Sequence, residues 1–166
     1  MNKNNICRPR IALFEPRIPQ NTGTIGRSCL AFNLPLDIIK PTGFSFDDKY
    51  LKRAGLDYWP YVDVYLYESF DEYKDKFKTS RIIALTKKSK NSISNIIYNR
   101  TDILLFGRED IGLPDYILNT CEITAGIPMP GGATNLSSGG VRSLNLSVAC
   151  GIVSYSALVQ LNLLND

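Results

Sequence analysis

The sequence predicts an α/β layered fold, a parallel sheet flanked by helices. Short runs such as Ile103-Leu104-Leu105-Phe106 are apolar at every position rather than at alternate ones, as strands covered on both faces are. Such runs alternate with segments of helical character. No internal repeat and no linker rich in Gly, Ser or Pro divides the 166 residues, so a single domain over 1–166 is expected. A chain of that length buries roughly two-thirds of the surface its unfolded form exposes.

Arg10–Phe14 and Leu36–Ile39 read as the first two strands, followed by 62–66, 81–85, 102–106 and 122–127. A helix over 22–32 follows a stretch punctuated by Pro16 and Pro19. The segment 47–54 opens on two acids and stops before Gly55, and 69–77 has Ser69 as a natural N-cap. A long final helix is expected over 141–164. It is entered through 131–140, a loop of small residues.

Nineteen basic and sixteen acidic side chains leave +3, too mild a charge to announce a nucleic-acid binder by itself. Any such work needs a local basic face. Candidates are Lys49 with Lys52 and Arg53, Lys87 with Lys88 and Lys90, and Arg17 with Arg27, each of which also reads as a solvated surface. Ile11 to Phe14 is too short for a signal-peptide core, and no run reaches the roughly 18 apolar residues of a membrane span, so a cytoplasmic protein without membrane contact is expected. Cys7, Cys29, Cys121 and Cys150 lie far apart, which suggests isolated thiols and no metal site.

The chain has no histidine. That excludes Ser-His and Cys-His nucleophile pairs, histidine bases and histidine metal ligands together. Chemistry falls to carboxylates, Arg, Lys, Ser, Tyr, Asn or a bound cofactor.

Three polar stretches stand out. In Asn21-Thr22-Gly23-Thr24-Ile25-Gly26-Arg27 the outer residues are nearly two helical turns apart and can face one site; equally, Asn21 can cap the helix and Arg27 be a surface charge. Phe106-Gly107 closes a buried strand and Glu109 follows beyond its carboxyl end, where open parallel sheets bind ligands. A glycine there lets a ligand approach the backbone, and a plain turn ended by Gly112 and Pro114 is the other reading. Ile127-Pro128-Met129-Pro130 leaves backbone groups free for a ligand edge. The chain then returns into Arg142-Ser143-Leu144-Asn145, with Ser143 a sensible N-cap of the last helix. The glycines of 131–140 match neither phosphate-loop pattern.

These stretches, in this order and spacing, resemble the three motifs of the SPOUT methyltransferases, and more narrowly the TrmL-type tRNA (cytidine/uridine-34)-2′-O-methyltransferases of the TrmH-like group. The likeness covers nearly the whole chain. It includes Glu15-Pro16-Arg17-Ile18-Pro19-Gln20-Asn21-Thr22-Gly23, Asp47-Asp48-Lys49 and Arg53-Ala54-Gly55-Leu56-Asp57-Tyr58. The 131–140 loop is longer and richer in glycine than the usual connection.

The resemblance implies a parallel sheet whose C-terminal part is threaded into a deep trefoil knot, and a homodimer sharing its tRNA site across the interface. It implies S-adenosylmethionine held by Leu85, Gly107, Ile127 and Ser143, with Met129 and Leu144 nearby, and no metal. It places Asn21, Arg27, Glu109, Ser143 and Asn145 around the reacting ribose. The implied substrate is the anticodon stem-loop of tRNA, position 34 of leucine tRNAs at family level. Arg27 would anchor or activate the hydroxyl, since a guanidinium is a poor base at neutral pH. A catalytically silent RNA-binding member is the alternative from another class. An unrelated nucleotide-binding protein of the same fold class would rest on analogy alone.

Overall fold

The computed structural model describes residues 7–46, 57–132 and 141–165. Six strands, β1 (Arg10–Phe14), β2 (Leu36–Ile39), β3 (Val64–Tyr67), β4 (Ile82–Leu85), β5 (Ile103–Phe106) and β6 (Ile123–Ala125), form one sheet in the order β3-β2-β1-β5-β4-β6. Every pairing is parallel. Among the described residues four α-helices lie on it: α1 (Pro19–Ala31), α2 (Phe70–Lys76), the single turn α3 (Asp115–Leu118) and α4 (Leu146–Gln160).

The uninterrupted apolar strands are explained by two cores. In β1, Ile11 and Leu13 pack with Ile25, Cys29, Cys150 and Val153 of α1 and α4, while Ala12 and Phe14 face Phe70, Tyr73 and Ile117 of α2 and α3. Successive side chains point to opposite faces, so a strand covered on both sides favours apolar residues at both, with Asp37 of β2 the buried polar exception.

Boundaries moved where local chemistry outweighed periodicity. The first helix begins at Pro19, three residues before the expected start, because proline suits the first helical position, where its missing N–H has no partner to lose. The third strand starts late because Trp59–Tyr61 winds into a 3-10 turn. The last helix is shorter than 141–164 and is capped not by Ser143 but by Asn145, whose Oδ1 accepts from the amides of Ser147 (2.8 Å) and Val148 (3.4 Å). Ser69 caps α2 as expected, its hydroxyl accepting from the Glu72 amide at 3.2 Å. The expected helix over 47–54 and most of the 131–140 loop lie outside the described residues.

Arg8 ties the helices to one another: its guanidinium donates to the carbonyls of Leu163 (3.0 Å) and Phe32 (3.4 Å), just past the C-termini of α4 and α1. Positive charge is favourable at that end of a helix. At the sheet's amino edge two fully buried carboxylates are matched by arginine forks. Asp37 accepts from Arg10 Nε at 2.6 Å and from the Tyr73 hydroxyl at 2.7 Å, and Asp102 accepts from Arg81 Nε at 2.9 Å and Nη2 at 2.7 Å. Burial, and then the adjacent Asp37 carboxylate, push the Tyr73 hydroxyl well above the usual tyrosine range, so it stays a donor.

Asp37→Ala should destabilise the protein by about 3–5 kcal/mol in urea unfolding, because Arg10 and Tyr73 lose their acceptor, whereas Tyr73→Phe should cost about 1–2 kcal/mol. The Tyr73 contribution is complete below the unfolded pKa of 10.0 and is lost as pH rises past it, since only the unfolded hydroxyl ionises there. Burial also raises both core thiols, Cys150 up to about 12, while Cys7 is exposed. A thiol reagent at pH 8 should therefore modify Cys7 quickly and reach Cys29 and Cys150 only as fast as the protein opens.

Candidate functional site

The chain leaves β1 toward β2 on one side of the sheet and leaves β5 toward β6 on the other, so a crevice opens at the carboxyl ends of β1 and β5. A cavity of about 430 Å³ occupies it. Its walls come from the ends of β4 and β5, the chain after β6, and the segment leading into α4. Leu85, Gly107, Ile127, Met129, Ser143 and Leu144, six positions expected at a cofactor, all line it. Ala125, Ala149 and Val153 complete an apolar floor. These last three fall within the expected strand over 122–127 and helix over 141–164, and nothing in the sequence singled them out as site residues.

The loop after β5 is shaped by its glycines. Gly112 has φ +73° and closes the turn by exchanging backbone hydrogen bonds with Arg108 at 2.9 and 3.2 Å. A side chain on Gly107 would collide with the backbone of Gly112 and Leu113. Gly107 is thus demanded by the loop folding back on itself, and not only by close approach of a ligand.

Glu109 sits at the cavity mouth. Its Oε2 accepts from the Arg17 amide at 2.8 Å, and its Oε1 accepts from the Ile18 amide at 3.1 Å and from Asn21 Nδ2 at 3.3 Å. Ile18, the N-cap of α1, has no side-chain cap of its own, so Glu109 supplies one from 91 residues away. A carboxylate at a helix N-terminus gains from both charge-assisted bonds and the helix dipole. Asn21 is 7% exposed and passes the link on, its Oδ1 accepting from Asn145 Nδ2 at 3.0 Å. Asn21 therefore does not cap its own helix. It joins Glu109 to the cap of α4.

Around this chain lies a ring of charge. Glu15, at φ +46°, accepts from Arg17 at 2.9 Å and Arg108 at 3.4 Å, while Arg108 forks onto Asp110 at 2.9 and 2.6 Å. That fork holds the Asp110 carboxyl down to about 2, ionised at any working pH. Lys87 and Lys88 stand on the rim. Glu15 and Arg108 carried no signal of their own in sequence beyond lying beside the motif residues.

Arg27 is not among the residues lining the cavity. Six residues beyond Asn21 is about 240° round a helix, so the two side chains leave α1 in different directions. Arg27 is exposed, with its guanidinium 4.6 Å from the centre of the Tyr58 ring. Of the five residues expected at the ribose, Asn21, Glu109, Ser143 and Asn145 gather at one mouth and Arg27 stands apart.

A family model, the SpoU rRNA Methylase family, matches residues 8–155. The chain belongs to this family. Among its relatives, the tRNA (cytidine(34)-2′-O)-methyltransferase of Yersinia pestis is 43% identical, over 91% of this chain and 93% of its own. A chain solved to give structural insights into the 2-OH methylation of C/U34 on tRNA matches at TM-score 0.84 and 39% identity, covering 95% of this chain and 99% of that one. A more distant family member shares the fold: the SpoU methyltransferase AviRb of Streptomyces viridochromogenes, solved in complex with the cofactor AdoMet, is 20% identical at TM-score 0.79, covering 96% of this chain and 63% of that one.

In this SpoU-family site the link through Asn21 predicts coupled losses. Asn145→Ala should remove the α4 cap and cost about 1 kcal/mol in thermal unfolding. Glu109→Gln places amide hydrogens against the amides of Arg17 or Ile18 and should cost about 1–3 kcal/mol. In a double-mutant cycle the two losses should fail to add, because Asn21 couples the sites.

Proposed function

We propose that the protein transfers the methyl group of S-adenosylmethionine to the ribose 2′-hydroxyl of the wobble nucleotide, C or U at position 34, of tRNA. The observation that carries this reading is the convergence of Leu85, Gly107, Ile127, Met129, Ser143 and Leu144 on one cavity with Glu109, Asn21 and Asn145 linked at its mouth. The residues suit the cofactor. A cavity of about 430 Å³ with apolar side chains and loop backbone falls in the range of small-molecule sites, and it suits a flat heterocycle joined to a methylsulfonium chain.

When bound, the sulfonium supplies an activated methyl group and a neutral leaving group. What remains for the chain is alignment and proton removal. Leu85 and Ile127 give the donor an apolar bed, and Ser143 and Asn145 stand where the incoming ribose meets it. Glu109 and Asn21 hold the N-termini of α1 and α4 at a fixed distance, and alignment alone is worth several kcal/mol of barrier. Arg27, on the outer face of α1, meets RNA rather than cofactor and anchors the hydroxyl or its neighbouring phosphate.

The whole of 1–166 serves as one methyltransferase domain. Its C-terminal part is threaded as the trefoil knot of the SPOUT proteins, and it works in the cytoplasm on the anticodon stem-loop, with leucine tRNAs as substrates. Among the described residues no helix is long and apolar enough to cross a membrane, and no acid, Cys and His group suits a metal. The functional unit is a homodimer packed through α4, whose outer face presents Val148, Ile152, Tyr155 and Val159 to solvent. These recur every three to four residues and form one apolar stripe. The RNA site is shared between protomers.

Incubation with labelled S-adenosylmethionine and tRNA should place label on the 2′-oxygen of nucleotide 34, and a 2′-deoxy nucleotide there should abolish transfer. Arg27→Ala should lower turnover at least tenfold while cofactor affinity persists. Binding of tRNA without any transfer would instead favour the catalytically silent reading.

A further inference from the structure

Arg27 has a built seat. Tyr58 lies along the ridge of α1 that runs from Gly23 to Arg27, positions four apart and therefore one above the other on the helix surface. Its hydroxyl donates to the Gly23 carbonyl at 2.8 Å, which pins one end of the ring, and the ring face then sits under the Arg27 guanidinium at 4.6 Å. The neighbouring residue fixes the segment. The Trp59 ring covers Gly26 so closely that a Cβ there would stand 2.6 Å from Cζ3, and Phe46 stacks on the outer side of Trp59 with centroids 5.9 Å apart. The glycine between Tyr58's two contacts on α1 is thus the place where the aromatic pair reaches the helix.

An exposed arginine on a helix otherwise samples many rotamers, and each hydrogen bond it makes to a ligand carries that loss. A cation held over an aromatic face has part of the loss already met, and beside the donor directed at the Tyr58 hydroxyl it keeps further N–H groups for a ligand. Arg27 lies outside the residues that line the cavity, and among the described residues the ring it rests on is that of Tyr58, so its direction is set from the 57–59 segment.

We propose that Tyr58 is a positioning residue for methyl transfer, holding the Arg27 guanidinium in the orientation that meets the RNA. This rests on the reading above, that Arg27 acts on the substrate. Tyr58 touches neither substrate nor cofactor; it acts through Arg27. Its hydroxyl serves the seat, and its ring serves the cation.

The test replaces Tyr58 by phenylalanine and then by phenylalanines carrying one, two and three ring fluorines, which weaken the negative face of the ring while barely changing its shape. Turnover number, KM for tRNA, cofactor affinity and melting temperature are measured for each, beside Arg27→Ala. The turnover number should fall stepwise with fluorination, by about tenfold from the first to the last of the series, with cofactor affinity and melting temperature unchanged. A structural role for the ring would move the melting temperature and leave turnover flat, and that result overturns the proposal. If Arg27→Ala turns over like the unaltered protein, the reading of Arg27 fails and this proposal with it. If Arg27→Ala loses turnover while the fluorine series is flat, only the role of Tyr58 falls. An NMR measurement on the unaltered protein gives an independent check: the Arg27 side-chain protons should be shifted upfield by the ring current, and ordinary shifts would overturn the proposal.

Discussion

Both oxygens of the Glu109 carboxylate are engaged, by the amides of Arg17 and Ile18 and by the side chain of Asn21. Because Asn21 in turn receives Asn145, one ionised group sets the relation of three segments: the loop after β5, the start of α1 and the start of α4. Each bond to Glu109 is charge-assisted, and they share one half-buried acceptor that no neutral residue replaces without leaving an amide unmatched. The cavity is bounded by all three of those segments, so its shape depends on this carboxylate being held.

Stability and function are placed at opposite edges of the sheet. Asp37 and Asp102, with their arginine forks, lie toward the amino ends of the strands, and the cavity lies at the carboxyl ends. At the amino edge the buried charges are fully matched and enclosed. At the carboxyl edge the parallel strands deliver their loops, and the polar groups there are engaged with one another while one face stays open to solvent. The general geometry of open parallel sheets, in which the strand order diverges at one point, decides where that opening falls.

Much of this was legible in the residues. β1 and β2 fall at their expected bounds because strands buried on both faces are mainly apolar, Asp37 being the buried exception in β2, and the other four strands lie within two residues of theirs. Ends of helices were less legible. A proline-led start and an asparagine cap compete locally with serine and threonine alternatives, and which one wins depends on what else the side chain can reach. Asn21 has the composition of a cap, yet its bonds go across the fold. Nine of the ten expected site residues came together, whereas Arg27 went to Tyr58 because helical geometry turns it away from Asn21.

The sequence by itself determined the alternation of strands and helices, the two-sided burial of the sheet, the absence of histidine chemistry and the motif residues of a SpoU-family methylase. Those follow from local pattern, composition and recognisable strings. Only the tertiary structure decided that Glu109 caps α1, that Asn21 reaches Asn145, that Gly107 is required by its own loop and that Arg27 rests on an aromatic ring. The two asparagines are 124 positions apart, and Glu109 and Asn21 are 88. No local preference acts over such separations. The contacts exist because sheet order and helix packing bring the segments within hydrogen-bond reach.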